Sequence, residues 1–233
     1  MPFDVSAEPS AFPEASSWFR SLIPMTDSDF EALSEAERGR AFTVAAAEQL
    51  TIVQALHDEI ARSLETGEPF EVFAKRIKQR LRDTWGKASS ARLETVYRTN
   101  VQTAYGVGRW YQQQDAEITS VRPFMLFDGV EDSRQSEICQ QRNGIVKRHD
   151  DPYVAANWPP LHQRCRSQWQ SISLRRAEAL GLTPIGDEGI DPPAEGFGIA
   201  PPFRSDWRPD PADYSPALMR IHDAKVAELR DQL

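Results

Sequence analysis

Ile118-Thr-Ser-Val-Arg-Pro-Phe-Met-Leu-Phe127 is the stretch at which the chain stops reading as helix. It is rich in β-branched and aromatic residues and too short for a stable helix, so it predicts one or two strands. On its N-terminal side, residues 20–114 carry helical spacing. Thr26-Asp-Ser-Asp29 and Ser34-Glu-Ala-Glu37 each place a capping hydroxyl three residues before a carboxylate, the arrangement that satisfies the orphan amides of a first helical turn. Phe42, Ala46, Leu50, Val53, Leu56, Ile60 and Leu64 then recur at intervals of three and four, predicting one long helix that ends at Thr66-Gly67. Pro69 opens another helix, with Phe70, Phe73, Ile77 and Leu81 on one face and Lys75, Arg76, Lys78, Arg80 and Arg82 opposite. Gly86 breaks it. Ser89 or Ser90 then caps a third helix, with Leu93, Val96, Tyr97, Val101 and Ala104 on its apolar stripe, running to about Trp110.

On the C-terminal side, Asn143-Gly144 is a turn signal between Ile138 and Ile145-Val146, predicting a small hairpin or a strand leaving the turn. Pro152, Pro159 and Pro160 interrupt regular structure until Ser171–Gly181. Beyond Leu182, prolines interleave with glycines and acids, which predicts an extended tail with a short last helix over Pro216–Leu233. The expected fold is therefore α+β: an N-terminal helical arm over 1–115, a small loop-rich core with a few short strands over 116–182, and a proline-rich acidic tail over 183–233.

The chain has 233 residues and a net charge of -8. It contains no run near the roughly 20 apolar residues of a membrane span, and its start lacks the basic-then-apolar pattern of a signal peptide. A cytoplasmic chain without a membrane partner is expected. The net charge hides a reversal of sign: residues 1–74 carry -10, residues 75–122 carry +6, and residues 183–233 carry -5. A basic middle between acidic ends fits a polyanionic or acidic partner, and fits equally a solvated face whose charges pair with one another.

Chemistry concentrates in Asp128, Asp132, Arg134, Cys139, Arg142, His149, His162 and Cys165. His162-x-x-Cys165 with Cys139 upstream supplies three soft ligands, and a four-coordinate zinc would need one more from His149, Asp128 or Asp132. The two cysteines are equally consistent with free thiols or a single bridge. An enzymatic reading would make either cysteine a nucleophile with His162 as base, or would have Asp128 and Asp132 hold magnesium. Neither has a supporting local motif, and a phosphate-binding glycine loop is absent, so no enzyme is predicted. Arg134 and Arg166 are read as ties to Asp128 or Asp132, the alternative being contacts to phosphate or a partner's carboxylate. Trp158 and Trp169 are read as covering the Pro159-Pro160 turn rather than stacking on bases.

These residues resemble the phage Mu F-like head morphogenesis, or minor head protein, family. Tyr97-Arg-Thr-Asn100 with Ala104-Tyr-Gly-Val-Gly-Arg109-Trp is similar to its long-helix motifs. Asp132, Arg134, Cys139 and Asn143-Gly144 resemble its Asp-x-Arg, Cys and Gly core. Pro159-Pro160-Leu-His162-Gln-Arg-Cys165-Arg166 is similar to its most specific signature. Where many members carry a second cysteine this chain has Arg142, and where many have Cys-Arg-Cys it has Cys165-Arg166-Ser167. The resemblance implies a structural minor head protein that associates with the portal and with shell or scaffold proteins during procapsid assembly. It would assemble in the host cytoplasm and be packaged in the virion. A DNA-associated virion protein is the first alternative, with Lys75, Arg76, Lys78, Arg80, Arg82, Arg98, Asn100 and Arg109 meeting double-stranded DNA without sequence preference. A metal-dependent hydrolase or nuclease is the second.

Overall fold

The computed structural model describes residues 12–33, 38–81, 90–181 and 190–200. The cap at Ser34–Glu37, Arg82, Gly86, Ser89 and the helix expected over Pro216–Leu233 lie outside the described residues. The chain forms two compact units. One runs up to Tyr97 and the other spans Arg98–Pro201, so the division falls inside a helix and the proline-bearing segment 190–200 belongs with the core.

The first unit contains α1 (Pro13–Ser21), β1 (Ile23–Pro24), α2 (Asp27–Glu31), β2 (Ala41–Phe42), α3 (Leu50–Thr66), α4 (Phe70–Arg80) and the first turns of α5 (Ser90–Gln113). Thr26 caps α2 as expected, its hydroxyl accepting from the Asp29 amide at 3.2 Å. The long helix begins later than its apolar stripe implied. Ala41–Phe42 is drawn into a parallel pair with Ile23–Pro24, and Ala46 sits in the left-handed region with its amide on the Asp27 carboxylate at 2.6 Å. Phe42 is apolar because it packs against Phe19 and His57, at ring-centroid separations of 5.5 and 5.4 Å, and not because it lies on α3. From Leu50 the stripe is real: Val53, Leu56, Ile60 and Leu64 are buried, each contributing roughly 1.5–3 kcal/mol of gross hydrophobic stabilisation. Gly67, at φ 67°, closes the helix in the left-handed conformation. On α4, Phe73 and Ile77 are buried, and Tyr97 reaches across to donate to the Glu68 carbonyl at 2.6 Å.

The second unit contains the rest of α5, then α6 (Ala116–Val121), β3 (Phe124–Asp128), α7 (Glu137–Gln140), β4 (Val146–Arg148), α8 (Pro152–Ala156), β5 (Gln168–Ile172) and α9 (Leu174–Leu180). Only the second half of the Ile118–Phe127 stretch is strand. Asp115 accepts from the Glu117 amide at 2.8 Å and caps a short helix in the first half, and Pro123 bars its continuation. The three strands form an antiparallel sheet in the order β4-β3-β5, with Leu126 opposite Val146 and Gln170. Strand alternation separates two faces. Met125, Phe127 and Trp169 enter a core shared with Trp110, Cys139, Tyr153, Trp158, Leu161 and Cys165. Phe124, Val146 and Ile172 pack with Ala177 of α9 on the other. As the Asn143-Gly144 signal implied, β4 leaves a turn whose Gly144 has φ 82°.

Candidate functional site

Short backbone devices bring the cysteines and His162 together. Ser136 caps α7, its hydroxyl accepting from the Cys139 amide at 3.3 Å, which fixes Cys139 on the inner side of that single turn. Downstream, the Cys165 amide closes a turn onto the His162 carbonyl at 3.2 Å. Arg164 inside that turn has φ 59°, a costly conformation for a side chain with Cβ. It is held by its amide's bond to Thr99 Oγ1 on α5 at 3.1 Å. This gives the Arg-Thr-Asn motif a physical task, since Thr99 fixes the backbone between the two downstream donors.

The resulting cluster is compact. Cys139 Sγ lies 3.7 Å from Cys165 Sγ and 3.2 Å from His162 Nε2, and all three donor atoms fall within 4.8 Å of one another. Both thiols are free and 2% exposed. Hydrogen bonds from Cys165, then from His162, Ser136 and Ser167, draw the Cys139 thiol well below its ordinary pKa. By the same bond the Cys165 proton is held between the sulfurs and its pKa rises, and the bond to Cys139 raises that of His162.

A frame of polar ties surrounds the cluster. Arg166 makes a two-pronged contact with Asp132, at 2.7 and 2.6 Å, and the Arg134 amide adds a third bond to that carboxylate at 3.0 Å. Together they hold the Asp132 carboxyl far below the usual carboxylate range, the Arg166 bonds contributing most. Trp158 and Trp169 are both buried, with indole N–H groups on the Gly106 and Asn157 carbonyls, each at 2.9 Å, so base stacking is excluded for them. Gly106 is required here, because a Cβ at that position would stand 2.5 Å from the Pro159 carbonyl oxygen.

Among the described residues, the ligand cluster consists of Cys139, His162 and Cys165 alone. The other expected ligands are engaged elsewhere. His149 Nδ1 meets Gln114 at 3.2 Å, Asp128 accepts from Gln168 and Gln170 across the sheet, and Asp132 is taken by Arg166. Asp128 and Asp132 therefore have separate partners and no common metal-binding arrangement. The basic stripe is divided as well. Arg76 pairs with Glu59 and Glu68, and Arg80 with Asp58 and Glu59. Lys78 donates to Ser90 at 2.8 Å, and Lys75, Lys78 and Arg98 are all exposed. Asn100 is half-buried, and so is Arg109, whose pKa burial lowers.

Sequence reasoning understated Arg142. It is 2% exposed and donates to Asn157 Oδ1 at 2.8 Å, to the Ile138 carbonyl at 2.8 Å and to the Asp191 carbonyl at 2.7 Å. One guanidinium thus ties α7, the residue after α8 and the segment 190–200. Its signal in the sequence was an arginine where a ligand was sought, next to a turn.

Residues 54–170, from α3 to β5, match the family described as phage Mu protein F like protein. The chain belongs to that family. Over 187 residues this Mu F-like chain is 29% identical to protein F of Escherichia phage Mu, named for capsid assembly, covering 72% of the chain and 42% of that relative. It is 28% identical over 168 residues to the Mu-like prophage FluMu F protein of Haemophilus influenzae, covering 66% of the chain and 40% of that relative. The chain thus spans about two fifths of the length of these curated relatives. No solved structure matches it. None of the described helices is long and apolar enough to cross a membrane.

Proposed function

We propose that this Mu F-like chain acts in phage head morphogenesis as a structural minor head protein. It would associate with the portal and with shell or scaffold proteins in the host cytoplasm and remain with the packaged virion. The observation that carries this reading is the match, over parts of both compact units, to a family whose phage Mu member is named for capsid assembly. The physics agrees with a part that is built to be positioned rather than to turn over substrate. Its most elaborate polar contacts, those of Arg142, Arg166 and Asp132, lead to other groups of the same chain and fix loops. Co-expression with the portal and major capsid proteins of its own phage, followed by gradient sedimentation, tests the proposal. Co-migration with portal rings or procapsids is expected, and absence from both, with the chain at the top of the gradient, refutes it.

Double-stranded DNA is a subordinate partner in this reading, favoured by the net +6 of residues 75–122. Lys75 and Arg98 are two exposed residues of that set, one on α4 and one on α5, with which to test it. Retardation of DNA should weaken steeply with salt, and the double change Lys75→Glu, Arg98→Glu should weaken it further at low salt. Retention indifferent to both would remove DNA from the list of partners.

A further inference from the structure

We propose that Cys139, His162 and Cys165 form a binding site for one thiophilic divalent cation of the zinc type, with a water completing four ligands. Three independent features of the geometry lead there. The first is spacing. With Zn–S near 2.3 Å and Zn–N near 2.05 Å, a tetrahedral ion requires an S···S edge of about 3.8 Å and an S···N edge of about 3.6 Å. The edges found are 3.7 Å between the sulfurs and 3.2 Å from Cys139 Sγ to His162 Nε2, and the third, from Cys165 Sγ to His162 Nε2, lies within 4.8 Å. A disulfide needs its sulfurs at about 2.05 Å, so the pair is set at the separation of two ligands on one ion.

The second feature is the orientation of the imidazole. His162 Nδ1 lies 2.8 Å from the Gln163 carbonyl oxygen. A carbonyl only accepts, so Nδ1 carries a hydrogen, and Nε2 is left facing Ser136 Oγ at 2.8 Å and Cys139 Sγ at 3.2 Å, where loss of its own proton frees a lone pair for an ion. A backbone carbonyl on the far nitrogen is the usual device by which a ligating histidine is held in register. The third is the rigidity of the three donors before any ion arrives. Cys139 is fixed by the Ser136 cap, His162 and Cys165 by the turn that Thr99 stabilises, and Arg166 anchors the residue after Cys165 to Asp132. Neither Arg142 nor Ser167 supplies a fourth ligand, which leaves that position to water. Arg142 points away from the sulfurs into three carbonyl oxygens, and Ser167 stands beside Cys139 as a hydrogen-bond donor.

The test uses the full chain, purified under reducing conditions and titrated with Co²⁺ and then Zn²⁺. One equivalent of metal retained through gel filtration is expected. So is near-ultraviolet thiolate-to-cobalt absorption, which zinc should bleach. Cys165→Ser should abolish that absorption. Because a buried cysteine variant could fail to fold, His162→Gln, at a half-buried position with both thiols kept, serves as the second arm. It should bind Co²⁺ at least tenfold more weakly with an unchanged far-ultraviolet circular dichroism spectrum. Wild-type protein that retains no metal and gives no charge-transfer absorption overturns the proposal, leaving a hydrogen-bonded thiol pair. So does a His162→Gln variant with unaltered affinity. The proposal does not rest on the assembly role, and failure of either leaves the other standing.

Discussion

In the first unit, α3 buries Val53, Leu56, Ile60 and Leu64 along one stripe, and its charged residues pair with α4 at the rim. In the second unit, residues 129–167 contain only the short α7, β4 and α8, and directed polar bonds take the place of a continuous ladder. Arg142 reaches three carbonyl oxygens, Asn143 accepts from the Gly129 amide at 2.8 Å, and Asp132 holds Arg166. One region is stabilised by apolar area and tolerates any side chain that fills the volume. The other depends on the shape and reach of particular polar groups. The difference teaches what each should forgive.

The largest expected effects separate the two regions most sharply. Phe73→Ala in the first unit should cost about 3–5 kcal/mol, as truncation of a buried aromatic does. Arg142→Ala in the second should cost about 3–5 kcal/mol, since three acceptors lose a charged donor at once. The conservative changes then diverge. Phe73→Leu keeps most of the volume and should cost only about 1 kcal/mol, whereas Arg142→Lys keeps the charge but not the fork, and should still cost about 3 kcal/mol. Urea denaturation, with hydrogen exchange assigning the loss to α4 or to residues 129–167, reads both. Equal penalties for the two conservative changes would erase the distinction.

Next in size is Gly106→Ala. Inside a helix this exchange ordinarily stabilises by about 1 kcal/mol, yet here the new Cβ would press on the Pro159 carbonyl oxygen, which as backbone cannot swing away. A net loss of about 2 kcal/mol is expected, opposite in sign to helix propensity. A thermal midpoint that rises in this variant would show that α5 and the proline turn can separate at little cost.

A smaller effect probes the exception within the first unit. His57 is 1% exposed, stacks on Phe19 at 5.0 Å and engages the Phe19 carbonyl through Nε2 at 2.9 Å. If area alone mattered there, His57→Leu would be neutral. The orphaned carbonyl should make it cost about 1–2 kcal/mol, read as a shift in urea midpoint.

How much of this was legible follows from the same contrast. The buried stripe of α3 and its Gly67 stop, the start of α4 at Pro69 and the burial of Leu93, Tyr97 and Ala104 on α5 were readable, because burial against a neighbour imposes a period on the sequence. Phe42 misled, since an apolar residue at the right spacing carries no mark that its backbone pairs with Ile23–Pro24. At Ile118, β-branched content pointed to strand while the Asp115 cap, a local hydrogen bond, chose helix. In the candidate site the three soft donors were legible by type and by their family signature. The dispersal of Asp128, Asp132 and His149 to other partners was not, because nothing in the spacing of a loop states which face a side chain takes. Arg142 was the hardest: a buried cation contradicts composition rules, and only its three carbonyl acceptors, one of them 49 residues further along the chain, account for it.

The smallest predicted effect tests whether the exposed polar ties follow the same logic as the buried one. Asp132 lies at the surface, so Asp132→Asn should lower the urea midpoint at neutral pH by much less than Arg142→Lys. Its signature is the pH dependence. The Arg166 guanidinium keeps the folded Asp132 carboxyl well below its unfolded value, which is about 3.9. A carboxylate depressed in this way contributes fully above the unfolded pKa, and the contribution fades as pH falls toward the folded one. Wild type and Asp132→Asn should therefore differ by a constant amount from pH 7 to about 5, and the gap should narrow as pH drops below about 4. Taking the difference cancels every other carboxylate that titrates alike in both proteins. A gap that stays constant down to pH 3 would mean that the Asp132–Arg166 contact acts through shape, as Arg142 does, and not through charge.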